Sequence, residues 1–121
     1  MANVLFVGFG GFLGTAFRYL IGLIPTGGES GFPVKTLAIN ILGAFVISLI
    51  AALAAKGAVI DPKLELMLKV GVCGGFTTFS TFAYESADLL QSGRAGMALA
   101  YAVISVVFGV LAVFAGQMIV K

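Results

Sequence analysis

Apolar residues in this chain neither alternate nor recur only at every third or fourth position; they run in long blocks separated by short polar stretches. A helix crossing the hydrocarbon core of a bilayer needs about 20 largely apolar residues. Four blocks reach that length, at 4–24, 36–55, 64–90 and 95–120. Residues 25–33 hold Pro25, Gly27, Gly28, Gly31 and Pro33, a breaker-rich loop. Residues 56–63, with Gly57 and Asp61-Pro62, end one helix and start the next, and 91–94 form a short turn. The third block differs from the others. Its uncharged part runs only from 70 to 84, and Gly71, Gly74, Gly75, Thr77 and Thr78 interrupt it. The pattern predicts an all-α integral membrane protein, with residues 1–121 in one four-span domain and the third helix broken mid-membrane.

Three blocks also carry stripes of small or polar residues at helical spacing. They are Gly8, Gly11, Thr15, Arg18 and Gly22 in the first, and Asn40, Ala44, Ser48, Ala51 and Ala55 in the second. In the fourth they are Ala98, Ala102, Ser105, Gly109, Ala112 and Gly116. Small residues let helix backbones approach closely, the usual basis of association in lipid. The stripes predict a packed bundle and say nothing about activity. Four helices leave little interior for a route through one subunit, so any pathway is expected between subunits.

Composition agrees with the blocks. Of 121 residues 60% are hydrophobic and 10% charged, where a soluble domain carries charge at roughly 25% of positions. A net charge of +2 gives no reason to expect a nucleic-acid partner. No basic residue precedes the first block, so that block is expected to be retained as a span rather than cleaved. Lys56, Lys63, Lys69 and Lys121 fall at one predicted end of the bundle; Arg18, Lys35 and Arg94 fall at the other. Four against three is a weak bias under the positive-inside rule. Such a chain can insert both ways up and pair antiparallel, supplying in a dimer the inverted repeat that many transporters encode in one chain.

Candidate chemistry concentrates in residues 71–82. Non-helical backbone at membrane depth is tolerated only where it is buried in protein or lines a polar cavity. Freed carbonyls there can hold a cation, and freed N–H groups can face an anion. A polar helix–helix contact, with the hydroxyls bonded back to their own helix, is the plainer alternative. Phe79 and Phe82 lie three apart, near one face. Their positive ring edges can meet a small anion, with the hydroxyls of Ser80 and Thr81 close by; packing is the ordinary role of such rings. Asn40 offers two N–H donors to an ion or to a neighbouring helix. Arg18 sits within about one turn of its helix end, where snorkelling is the expected behaviour. Tyr101 and Ser105, one turn apart, can extend a line of hydroxyls. Glu85 is expected near the membrane surface, solvating a helix end. Cys73 reads as a small packing residue. The absence of His excludes His-ligated metal sites and His-based triads. The run Gly8 to Gly14 misses the dinucleotide spacing at Leu13, and no phosphate-loop motif occurs. An enzyme is not expected.

Three segments together resemble the Fluc (CrcB-type) fluoride channel family. They are Gly10-Gly11-Phe12-Leu13-Gly14-Thr15-Ala16-Phe17-Arg18-Tyr19, Thr36-Leu37-Ala38-Ile39-Asn40-Ile41-Leu42-Gly43-Ala44-Phe45, and Cys73-Gly74-Gly75-Phe76-Thr77-Thr78-Phe79-Ser80-Thr81-Phe82 with Glu85. The third is highly specific; the others are weak alone. The resemblance implies a dual-topology antiparallel homodimer in a bacterial inner membrane, passively exporting fluoride through two pathways at the interface. Phe79 and Phe82 would contact fluoride, with Asn40, Ser80, Thr81, Tyr101 and Ser105 along the route and Glu85 near its end. It further implies a structural sodium ion held by backbone carbonyls of Gly74 and Thr77 from both subunits, and a structural role for Arg18. Two positions depart from the family pattern. Gly109 stands where some members carry a second Ser, and Phe76 replaces a smaller aliphatic residue.

Two other functions fit four apolar spans. A proton-coupled drug exporter needs a carboxylate inside the first span, and 4–24 holds none. A structural protein without transport would leave the glycine–threonine segment unexplained.

Overall fold

The computed structural model describes residues 1–25, 31–57 and 60–120. The middle of the first loop (26–30), part of the second connection (58–59) and Lys121 lie outside the described residues. The described chain contains helices and no strand. Four spans, Ala2–Gly22, Val34–Ala55, Pro62–Gln91 and Ala95–Val120, are long and apolar enough to cross a membrane. Most of their large apolar side chains remain exposed on the outside of the bundle. A surface of that kind is suited to lipid and not to water. The protein is a multi-pass membrane protein.

Helix ends follow local chemistry. The first span stops at Gly22, two residues short of the predicted end, as Leu23 and Ile24 tighten into a turn. The second begins at Val34, directly after Pro33. Asp61 caps the third, its side chain accepting from the Lys63 N–H at 2.9 Å with Pro62 in the first helical position.

The first span packs on the third, and the second on the fourth. Glycine contacts make the first pairing close. A Cβ on Gly10 would lie 2.4 Å from the Met67 carbonyl oxygen, and one on Gly14 would lie 2.1 Å from that of Val72. The predicted stripe of the first span meets the third span in part, Gly11, Thr15 and Arg18 all touching Gly75. Gly10 and Gly14 face the third span, while Gly8, Gly11 and Gly22 have open space where a side chain would be. Periodicity located one row of small residues but missed the adjacent one, Gly10 and Gly14, that shares the contact. In the second pairing the prediction holds better. Ser48 donates to the Val113 carbonyl, and a Cβ on Gly116 would lie 2.9 Å from the Phe45 carbonyl oxygen.

The third span is interrupted in two ways. Met67–Cys73 is π-helical, a wide geometry that often occurs at functional sites. Gly74–Phe76 returns to α-helix, and the break itself falls on two residues. Thr77 (φ −83°, ψ 157°) and Thr78 (φ −149°, ψ 117°) are extended before Phe79–Gln91 resumes the helix. The glycine pair, expected to unwind, stays helical. Gly71 and Gly75 serve close packing instead, since added Cβ atoms would come within 2.7 Å of the Val7 and Gly11 carbonyl oxygens. Threonine, β-branched and at ease in extended backbone, supplies the unwound pair.

Candidate ion pathway

The break is held by side chains from two other spans. Asn40 donates Nδ2–H to the Thr78 carbonyl at 3.1 Å and accepts the Thr78 N–H on Oδ1 at 2.8 Å. Its amide oxygen thus replaces the helical acceptor that the Thr78 N–H has lost, while Nδ2 adds a second donor to the carbonyl that starts the new helix. Arg18 donates Nε–H to the Gly75 carbonyl at 3.3 Å, and Thr15 donates its hydroxyl to the same oxygen at 3.4 Å. Arg18 is half-buried and bonded to the break. The expectation that it simply snorkels is corrected, because a carbonyl near the break stands within reach.

Redirected donors leave two carbonyls without their α-helical partners. Gly74 would receive the Thr78 N–H in a regular helix, but that group bonds Asn40. Thr77 would receive the Thr81 N–H, which instead caps the new helix through Thr78 Oγ1 at 3.1 Å. Gly74 is exposed on the surface of the single chain. A cavity of about 260 Å³ runs past Gly74, Thr77, Asn40, Gly43 and Cys73. Neutral carbonyl oxygens are the donor chemistry that a hard cation takes. No group of three or more His, Cys, Asp or Glu that could hold a metal occurs among the described residues.

A second cavity, of about 300 Å³, is lined by Asn40, Thr77, Thr78, Phe79, Phe82 and Ser105. Phe79 and Phe82 stand with ring centroids 5.7 Å apart and planes tilted by 46°. Phe82 leans on Tyr101 at 4.8 Å, whereas Phe79 is 78% exposed. Ser105 Oγ is buried and has no hydrogen-bond partner. Asn40, both rings and Ser105, separated by up to 65 positions in the chain, therefore converge on one space.

Other candidates lie elsewhere. Tyr101 is fully buried, and its hydroxyl donates to Glu85 Oε1 at 2.7 Å, so it is already engaged. Thr36 donates to Glu85 Oε2 at 2.9 Å. Glu85 is thus a half-buried acceptor clamped between the second and fourth spans, not a residue solvating a helix end. Thr81 lies beside Glu85 in a separate cavity, and Ser80 is exposed and lines none of these cavities. Thr36, which the sequence alone does not single out, belongs to this group. Its spacing of four from Asn40 puts both on one helix face, opposite Thr78, Thr81 and Glu85 of the third span.

A family model described as "CrcB-like protein, Camphor Resistance (CrcB)" matches residues 5–117. The chain belongs to the CrcB family. A relative from Chlorobaculum tepidum, named "Fluoride-specific ion channel FluC", is 43% identical over 121 residues, covering 100% of this chain and 96% of the relative. Relatives bearing the same name are 45% identical in Ruminiclostridium cellulolyticum (100% and 94% covered) and 40% identical in Leptospira interrogans (98% and 94%). Of the two departures from the CrcB pattern, Phe76 is accommodated by burial. It packs where a Cβ on Gly43 would lie 3.4 Å from its ring. Gly109, one turn beyond Ser105, faces open space.

Proposed function

We propose that this CrcB-family chain is a passive, fluoride-selective channel that exports fluoride from bacteria across the inner membrane, working as an antiparallel homodimer with two pathways. The observation that carries this reading is the cavity where Asn40, the Phe79–Phe82 pair and the unpartnered Ser105 hydroxyl converge beside the break. Relatives named as fluoride-specific channels, aligned from end to end, support the choice of ion.

Fluoride is small and strongly hydrated, so a selective route must replace its water with donors. Asn40 has two amide hydrogens. Thr78 takes one, and the other is available to the cavity. Ser105 contributes an uncommitted O–H. The ring edges of Phe79 and Phe82 carry partial positive charge and add attraction without a fixed cation that would trap the anion. Thr81 and Glu85, with its donors Thr36 and Tyr101, continue the polar line towards one membrane face; Ser80 is placed at its edge.

Dimerisation is supported by what one chain leaves bare. Gly74 is exposed beside a carbonyl deprived of its helical donor, and lipid offers no replacement. A second copy laid antiparallel would cover that site and Phe79 together. Carbonyls of Gly74 and Thr77 from both copies would then hold one sodium ion, whose charge would offset carbonyl repulsion and favour nearby anions.

Purified protein in liposomes tests the reading. Rapid, voltage-dependent loss of fluoride with chloride retained is the expected result; no loss of fluoride from vesicles containing folded protein would overturn it.

A further inference from the structure

Beyond the break lies a third cavity, of about 360 Å³, that shares Thr78 with the ring-lined one. Arg18 and Lys35 line it together with Thr36, Thr78, Thr81 and Glu85. Among the described lining residues, two cations and one carboxylate give a net positive charge. Both oxygens of Glu85 already accept hydroxyl hydrogens, which holds its carboxylate in place between Thr36 and Tyr101. Arg18 is tied through Nε to the Gly75 carbonyl. Lys35 is placed differently. It begins the second span, and its Nζ reaches back to the carbonyl of Gly22 at the end of the first, at 2.8 Å. An ammonium has three donors, and this bond uses one. The contact holds a half-buried side chain over the chamber in place of letting it swing into solvent.

We propose that this chamber is an anion-collecting antechamber and that Lys35 is its positioning charge, concentrating small monovalent anions at the outer side of the Asn40–Thr78 pair. The proposal rests on the channel reading above. Charge of one sign in a low-dielectric cleft raises the local concentration of counter-ions. Its reach is set by ionic strength, with a screening length of roughly 30 Å at 0.01 M and below about 8 Å above 0.15 M. Lys35 therefore acts on anion supply at low salt and leaves passage past the rings unchanged.

The test alters the charge after folding. Lys35→Cys protein is purified and reacted with a methanethiosulfonate carrying either trimethylammonium or sulfonate, and fluoride currents are recorded in planar bilayers. The native thiol, Cys73, is buried, and unmutated protein given both reagents is the control. At about 0.01 M ionic strength the sulfonate-labelled channel should carry roughly threefold or more less current than the ammonium-labelled one, by loss of the focusing effect. The gap should close at about 0.3 M, and Lys35→Arg should match the unmutated channel at both salts. Equal currents from the two labelled forms at low salt, with the unmutated protein conducting, would overturn the antechamber and spare the channel. A gap that persists unchanged at high salt would likewise overturn it, indicating obstruction by the label. Unmutated protein that carries no fluoride would remove both proposals.

Discussion

Asn40 and Thr78 hold each other through two hydrogen bonds of opposite direction, one amide grasping both the N–H and the C=O of a single extended residue. The arrangement satisfies the Thr78 N–H that the break in the third span would otherwise leave open, and it fixes Asn40 where it lines both the ring-lined cavity and the one beside Gly74. One side chain thus supports the break and, on the proposed reading, the ion route.

Replacing Asn40 should damage both properties. Asn40→Asp keeps an acceptor for the Thr78 N–H but cannot donate to the carbonyl, and it adds negative charge to the route. Polar contacts between membrane helices contribute about 0.6 kcal/mol on average and up to about 1.7, so the variant should fold. Its fluoride efflux should fall by at least about tenfold, a ΔΔG‡ of roughly 1.4 kcal/mol, in liposome assays beside a normal gel-filtration profile.

Phe79 and Phe82 should separate by their surroundings. Phe79 touches Phe82 and is otherwise largely exposed in the single chain, whereas Phe82 also packs against Tyr101. Isoleucine preserves bulk and removes the quadrupole. Each single change should reduce fluoride flux by roughly two- to twelvefold, taking aromatic contacts at about 0.5–1.5 kcal/mol. Only Phe82→Ile should also lower the thermal midpoint of one subunit's fold in detergent.

Ser105 gives the opposite combination. Its hydroxyl has no partner, so Ser105→Ala removes a buried orphan and should leave thermal stability unchanged or raise it slightly. Fluoride flux should nevertheless drop, because an uncommitted donor disappears from the cavity. Tyr101→Phe should instead lower stability, by about 1.5–3 kcal/mol for a hydrogen bond to a charged group, measured by denaturation in mild detergent.

The close approach of the first and third spans predicts a sharp contrast between glycines. Gly14→Ala would drive a methyl group to 2.1 Å from the Val72 carbonyl oxygen. Overpacking of this kind costs about 1–3 kcal/mol or more. Gly96→Ala meets nothing within 4 Å, and better helix propensity should stabilise it by up to about 1 kcal/mol. Thermal melts of the two variants check the difference.

If carbonyls of Gly74 and Thr77 bind sodium between subunits, removing sodium should loosen the dimer. Exchange into choline or potassium salts should raise the monomer fraction seen by cross-linking, and sodium should restore the dimer over a titratable range.

Four spans, their approximate limits and the presence of a break in the third were readable without coordinates, because hydrocarbon thickness fixes how many apolar residues a crossing requires. The resemblance of residues 73–82 to a known family added a candidate ion and a set of side chains. Several assignments depended on partners distant in sequence. Whether glycine or threonine unwinds was decided by Gly71 and Gly75 packing against the first span, which holds them helical. Arg18 looked like a residue at a helix end until the Gly75 carbonyl came within its reach. Glu85 looked solvated until hydroxyls of Thr36 and Tyr101 closed on both its oxygens. Hydropathy alone determined that this chain lives in a membrane and where it crosses. Only tertiary packing decided which small residues meet a neighbour and which polar groups are already spent. Preference for hydrocarbon over water is a property of each residue's chemistry, but hydrogen-bond satisfaction belongs to pairs that the fold brings together.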